Sequence, residues 1–317
     1  MNMTAIIQIG HYCIYPMGLC AAGAALIYWF LFSLFLKKEH RCFAPCIVCF
    51  TVLSGLVLSR FLYCLCNLSD YLNDYENAAY MLCFSDGGYS MYGIFGGLFA
   101  GILLGCKRYE LSADELLDAC GLSAPWAIAM IHFGRTFTEL GTGKLVEEGT
   151  FTKLFGWALM KEQYGIGIDY RLNAAVYACL FCVLLGILMM FRKKSGNIGL
   201  KFFALYGAFG ILLESIRDDG HMLLIAFLRA GQIFCIIMPL TVMLLGFHRR
   251  KSASRRWISG CMLTIGTAGI VMLEFMLDGR LTIGNYSMGL YYALMAVCCC
   301  LIAAAAMLAL PRTDTKA

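Results

Sequence analysis

The sequence predicts an all-α fold, a polytopic bundle of about nine transmembrane helices carrying a small extracytoplasmic head. Three observations carry that prediction. Hydrophobic residues make up 61% of the 317 and charged residues 14%, against roughly 45–50% and 25% in soluble proteins. The apolar residues gather in runs close to the roughly 20 residues that a bilayer crossing needs. The basic residues gather in short clusters between those runs. With a mean hydropathy of +0.74, a water-soluble enzyme, a secreted domain and a disordered chain are excluded, because none could hide this much apolar surface.

The runs fall near 14–36, 43–66, 89–106, 119–140, 172–191, 198–217, 222–247, 257–276 and 283–310. No Lys or Arg precedes the first run, whereas Lys37, Lys38 and Arg41 follow it. That is not the charged-then-apolar order of a cleaved signal peptide, and it orients the N-terminus outside. Alternation then puts sixteen Lys and Arg in cytoplasmic segments and six outside. The first outer loop, 67–88, has acids and no base. The net charge of +5 is therefore an expression of membrane topology, and no nucleic-acid partner is expected.

The third run contains Gly97, Gly101 and Gly105 at fourfold spacing, a small-residue face that lets helices approach closely. The one long outer loop, 141–170, is rich in Gly and mixed charge around Phe155-Gly156-Trp157 and is expected to be a small amphipathic or irregular head. Residues 1–247 then form one seven-span membrane domain, and 248–317 add two C-terminal spans. Most of the seventeen cysteines lie inside apolar runs, where cysteine acts as a small hydrophobe. The spacings Cys42-x3-Cys46-x2-Cys49 and Cys179-x2-Cys182 lack clustered polar neighbours, so neither a metal nor a cofactor is expected. Nucleotide-binding glycine loops and the commoner hydrolase motifs do not occur.

Function is sought where polar residues enter the spans, since an Arg near mid-helix costs roughly 2.5–3.5 kcal/mol on insertion scales. Arg60, His132, Arg135, Glu139, Glu214 and Arg217 come late in spans running outward, and Tyr92 and Arg229 come early in spans running inward. At about 1.5 Å per residue, all fall in the outer third of the bilayer. His132, Arg135 and Glu139 share a helix face, as do Glu214 and Arg217. Planar guanidinium groups suit a phosphate, so Arg60 and Arg135 facing a common cavity would bind a phospholipid head group. Taken singly, each residue also fits a blander role. An Arg near a span end snorkels to the interface, Glu214 and Arg217 fit a capped helix end, His132 a packed polar residue, and Tyr92 an interfacial aromatic.

At these residues the chain resembles the prolipoprotein diacylglyceryl transferase family over about 10–245. The matching stretches are Ser59-Arg60-Phe61-Leu62-Tyr63, residues Asp86 to Gly93, Phe133-Gly134-Arg135, and Tyr206 to Arg217, with Gln232 further on. The resemblance implies transfer of diacylglycerol from phosphatidylglycerol, or a related anionic phospholipid, to the cysteine thiol of a prolipoprotein lipobox in a bacterial plasma membrane, with release of glycerol 1-phosphate. It implies a phospholipid contact for Arg135, matches Glu214 to the acid of the late family motif, and matches Arg60, Tyr206 and Arg217 to family positions. Tyr92 stands where the family has a histidine, Thr138 where it has an asparagine, and Gly210 where it has an arginine. A phenol with a reference pKa of about 10 is a poor base at neutral pH, so His132, on the face of Arg135, is the candidate for a relocated base. The same replacements carry a second expectation, a catalytically degenerate accessory protein that keeps the lipid cavity. A transporter fits less well, since no internal repeat is evident and the acids lie near span ends.

Overall fold

The computed structural model describes residues 7–9, 12–73, 78–84, 87–138, 141–164, 167–193, 196–218, 222–225, 228–249, 253–281, 284 and 286–311. An antiparallel pair, β1 (Ile7–Ile9) and β2 (Tyr12–Ile14), precedes α1 (Pro16–Phe35). Next come α2 (Ala44–Cys66), α3 (Leu68–Asn73), α4 (Met91–Tyr109) and α5 (Ala113–Arg135). The head contributes β3 (Thr142–Val146), α6 (Thr150–Leu154), β4 (Leu159–Tyr164) and β5 (Gly167–Asn173). The chain continues through α7 (Ala174–Phe191), α8 (Ile198–Ile216), β6 (Leu223–Ile225), β7 (Leu228–Arg229) and α9 (Ala230–Arg249). It ends with α10 (Ala253–Leu277) and α11 (Met288–Ala309). This is an all-α polytopic membrane bundle.

Nine helices among the described residues are long, and eight of them are long and apolar enough to cross a membrane. The other is α4, the third of the nine expected spans. Its glycines dilute its hydropathy, and they have a packing reason. A side chain at Gly93 would meet the backbone of Ser59, one at Gly97 the backbone of Gly55, one at Gly101 the hydroxyl of Thr51, and one at Gly105 the side chains of Leu116 and Ile47. The fourfold glycine face therefore lies antiparallel along α2, backbone against backbone.

Helix ends differ from the expected runs where polar chemistry overrides hydropathy. The fourth run begins six residues earlier, at Ala113, because Asp114 and Glu115 occupy the favourable first turn. It ends at Arg135, which puts His132 and Arg135 in the last turn. The seventh begins at Ala230, so Arg229 lies in a short strand before the helix rather than within it. Glu139 lies outside the described residues.

The loop expected to be amphipathic or irregular folds instead as a three-stranded antiparallel sheet of order β3-β5-β4. The sheet is bonded to the end of α8: Asp218 N donates to Thr142 O at 2.9 Å, and Gly143 bridges Arg217. Arg171 on β5 donates to Asp218 and Glu162, each at 2.8 Å. Its hydrogen bond to Asp218 is the largest influence holding that guanidinium above its ordinary pKa. At the far end of the bundle, Glu115 pairs with Lys37 and His40, and Arg249 with Asp114.

The bundle is not evenly buried. In the apolar stretches of α5 and α8, 72% of residues are buried, against 22% in α1 and α10. The helices that carry His132, Arg135, Tyr206 and Glu214 are thus the innermost pair. The α10–α11 hairpin packs against α8 and α9, with Gly246 of α9 close against Ala309, and its own two helices meet where Gly266 lies against Ile302.

Candidate functional site

Beneath the head, the ends of α4, α5, α7 and α8 border a small, partly open cavity of about 20 Å3 lined by Tyr92, His132, Arg135, Ala174, Ala178, Tyr206, Gly210, Leu213, Glu214 and Arg217. Of the residues singled out from the sequence, Tyr92, His132, Arg135, Tyr206, Glu214 and Arg217 line this one cavity. Small residues on α7 and α8 leave the room.

Each polar wall has a local cause. Tyr92 sits at the start of α4, where the Ser90 side chain caps the helix by accepting from Tyr92 N. Ser90 is itself fixed to α2, through Ser90 N to Ser59 O at 3.0 Å and Ser59 Oγ to Ser90 O at 2.5 Å. The Tyr92 ring stacks on Phe234 with centroids 5.2 Å apart. Its hydroxyl donates to Glu214 Oε1 at 2.9 Å and lies 3.3 Å from Cys235 Sγ.

Glu214 is buried, and its carboxylate accepts from Arg217 Nη1 on both oxygens, at 3.1 and 3.0 Å. Glycine at position 231 leaves room for the carboxylate, because an added Cβ would come within 2.5 Å of the Glu214 carboxyl carbon and displace it. The carboxylate thus rests against the first turn of α9, where the helix presents its positive end. Arg229 adds a further tie, donating from Nη2 to Arg217 O at 3.2 Å.

On the facing wall, Arg135 Nη1 lies 3.4 Å from His132 Nδ1, and His132 Nε2 lies 3.5 Å from Tyr206 Oη. A guanidinium can only donate, so the contact gives Nδ1 the lone pair and Nε2 the hydrogen. Tyr206 is backed by the rings of Phe95, Phe181 and Phe202. The cavity therefore holds two guanidinium groups against one carboxylate. Its net sign is positive, in a setting where most of the charge is shielded from water.

Arg60 is placed differently. It lies at the same end of the bundle but does not line the cavity. Its guanidinium donates to the backbone carbonyls of Met81, Gly87, Gly88 and Tyr80. Gly87 and Gly88 both have positive φ, 73° and 69°, which turns two successive carbonyls in this loop toward the cation. Arg60 thus holds the segment that leads into Ser90 and Tyr92.

Two groups at the site were not singled out from sequence. Cys235 sits among apolar residues, and nothing in its spacing marks it. Glu274, a lone acid inside an apolar span, was detectable by the cost of such a residue. Among the described residues no group of three or more His, Cys, Asp or Glu is placed to hold a metal ion.

A bundle with eight helices long and apolar enough to cross a bilayer, and a cationic, partly enclosed pocket beneath a small head, is that of a multi-pass membrane protein. The family model for prolipoprotein diacylglyceryl transferase matches residues 4–248, more than half of the chain, and the protein belongs to that family. It is thereby a member of a membrane transferase family of lipoprotein biosynthesis. No curated protein is matched.

Proposed function

We propose that the protein is a phosphatidylglycerol:prolipoprotein diacylglyceryl transferase whose cavity binds the phosphoglycerol head of an outer-leaflet lipid. The observation that carries the reading is the convergence of Arg135 and Arg217 on one small, partly open cavity with Glu214, His132, Tyr92 and Tyr206. The basic clusters at the far end of the bundle support an orientation with the head and N-terminus outside a bacterial plasma membrane. Residues 1–247 form the transferase domain in this reading, and 248–317 an added pair of spans.

The chemistry follows from donors and lone pairs. Arg135 and Arg217 hold the phosphate, and Tyr206 supports the His132 ring. As Arg135 turns to the phosphate it leaves His132 Nδ1, whose lone pair then takes the proton of the lipobox thiol. The thiolate is the nucleophile. Its sulfur bonds to the glyceryl carbon next to the phosphate, the carbon–oxygen bond breaks, and the electron pair leaves on glycerol 1-phosphate. Fixed guanidinium charge stabilises that departure. Glu214 fixes Arg217, and Tyr92 fixes Glu214.

The test is a gel-shift assay of a lipobox peptide with labelled phosphatidylglycerol in membranes. Transfer that falls on Arg135→Ala is the expected result, and transfer that Arg135→Ala leaves unaltered overturns the assignment. One arrangement favours the accessory reading instead: the Tyr92 hydroxyl is bonded to Glu214, and Cys235 Sγ fills the space beside Gly210, where an added Cβ would lie 2.6 Å away. Under that reading wild type transfers nothing, while Tyr92→His combined with Gly210→Arg and Cys235→Ala gains transfer.

A further inference from the structure

Glu274 is the one acid within the membrane-crossing stretch of α10, a helix that otherwise shows most of its surface to lipid. Its side chain is turned inward and is 8% exposed. It meets the back of the cavity wall at two points. The Ser215 hydroxyl donates to Glu274 Oε1, and Gln232 Nε2 donates to the same oxygen at 2.6 Å.

Both partners lead directly to cavity residues. Ser215 follows Glu214 in the chain. Gln232 Oε1 accepts from Arg229 N at 3.1 Å, and the Arg229 side chain donates to the carbonyl of Arg217. Two further contacts join the hairpin to this side of the bundle. Tyr292 on α11 donates to Ser215 O at 3.4 Å, and Lys144 of the head pairs with Asp278 at 3.6 Å. Packing alone has no use for a carboxyl group here, since an apolar side chain of similar volume fills a buried site without the desolvation cost.

We infer that Glu274 is a positioning residue for the lipid site, through which the α10–α11 hairpin, beyond the family-matched residues 4–248, fixes the Glu214–Arg217 wall from behind. The inference rests on reading the cavity as an anionic-lipid site. The hairpin is then a working part of the site rather than an appended anchor. What Glu274 supplies is an acceptor oxygen for two donors, so an amide can replace it and a hydrocarbon cannot.

The experiment uses full-length protein in detergent micelles, with binding of labelled phosphatidylglycerol and thermal unfolding measured for each variant, and transfer to a lipobox peptide measured in membranes. Glu274→Leu is expected to weaken lipid binding about 10-fold and transfer by at least as much. Glu274→Gln is expected to stay within about 3-fold of wild type in both, because its carbonyl oxygen still accepts from Ser215 and Gln232. Ser215→Ala, a smaller change that spares folding, is expected to weaken binding in the same direction, and adding Glu274→Leu to it is expected to cost less than Glu274→Leu alone. Binding unchanged in both Glu274→Leu and Ser215→Ala overturns the inference, as does equal loss in Glu274→Gln and Glu274→Leu. A wild type that binds phosphatidylglycerol but transfers nothing defeats the transferase reading and leaves the inference to the binding measurements. A wild type that binds no anionic lipid overturns both.

Discussion

Arg60 and Arg135 lie at the same end of the bundle, each near the end of its helix, and the chain uses them in opposite ways. Arg60 is 2% exposed and its donors meet the backbone carbonyls of one loop. Arg135 lines a cavity whose opposite wall carries a carboxylate already paired with Arg217. A guanidinium surrounded by carbonyls organises a fold. One that borders open space beside a second guanidinium can receive an anion. Residue type and depth are common to the two, and what separates them is the chemistry of the neighbours.

The largest effects test that contrast directly. Arg135→Ala is expected to lower transfer about 100- to 1,000-fold with little change in the unfolding temperature, and Arg135→Lys to recover only part, because a lysine cannot make the planar two-point contact. Arg60→Ala is expected to do the reverse. It leaves several loop carbonyls without their donor and destabilises the protein by about 3 kcal/mol, read as a lower unfolding temperature, while transfer per folded molecule falls less than in Arg135→Ala. If Arg60→Ala abolishes transfer in fully folded protein and Arg135→Ala does not, the roles drawn from the structure are inverted.

The split also marks how far the sequence could be read. The bundle was legible because bilayer crossing imposes length and apolarity on every span, and the glycine face of α4 announced its close approach to α2. The shared depth of Tyr92, His132, Arg135, Glu214 and Arg217 was legible because ionisable groups are scarce in spans and helical rise fixes their level. Which way each side chain turns was not. That depends on long-range partners such as Gly87 and Gly88 for Arg60, or Gly231 for Glu214, and periodicity within one helix holds no information about them. The sheet of the head was hidden for a similar reason, since its short strands alternate weakly and are stabilised by pairing with each other and with Arg217.

Smaller changes sharpen the contrast inside the cavity wall. Gly231→Ala forces a methyl group against the Glu214 carboxylate and is expected to lower transfer about 10-fold with modest loss of stability, since the carboxylate must move off Arg217. Tyr92→Phe removes one hydrogen bond to Glu214 and keeps the stacking on Phe234. A loss of about 1.5–3 kcal/mol is the expected upper range for a bond to a charged group, seen as weaker lipid binding. A larger loss in transfer than in binding would assign the phenol a part in the chemical step.

The smallest effect belongs to a third cation, Lys144, which faces Asp278 across the junction of the head and α10 at 3.6 Å, with the two side chains 18% and 25% exposed. Water still reaches both groups, so the pair is worth about 0.5 kcal/mol at most. Lys144→Met should leave transfer unchanged and lower the unfolding temperature by about 1–2 °C, a difference that shrinks further in high salt. The head is held to α8 by backbone bonds, Asp218 N to Thr142 O and the Gly143–Arg217 bridge, and these do not depend on the lysine. A large loss of transfer in Lys144→Met would place a working cation in the head itself and move the functional boundary away from Arg135 and Arg217.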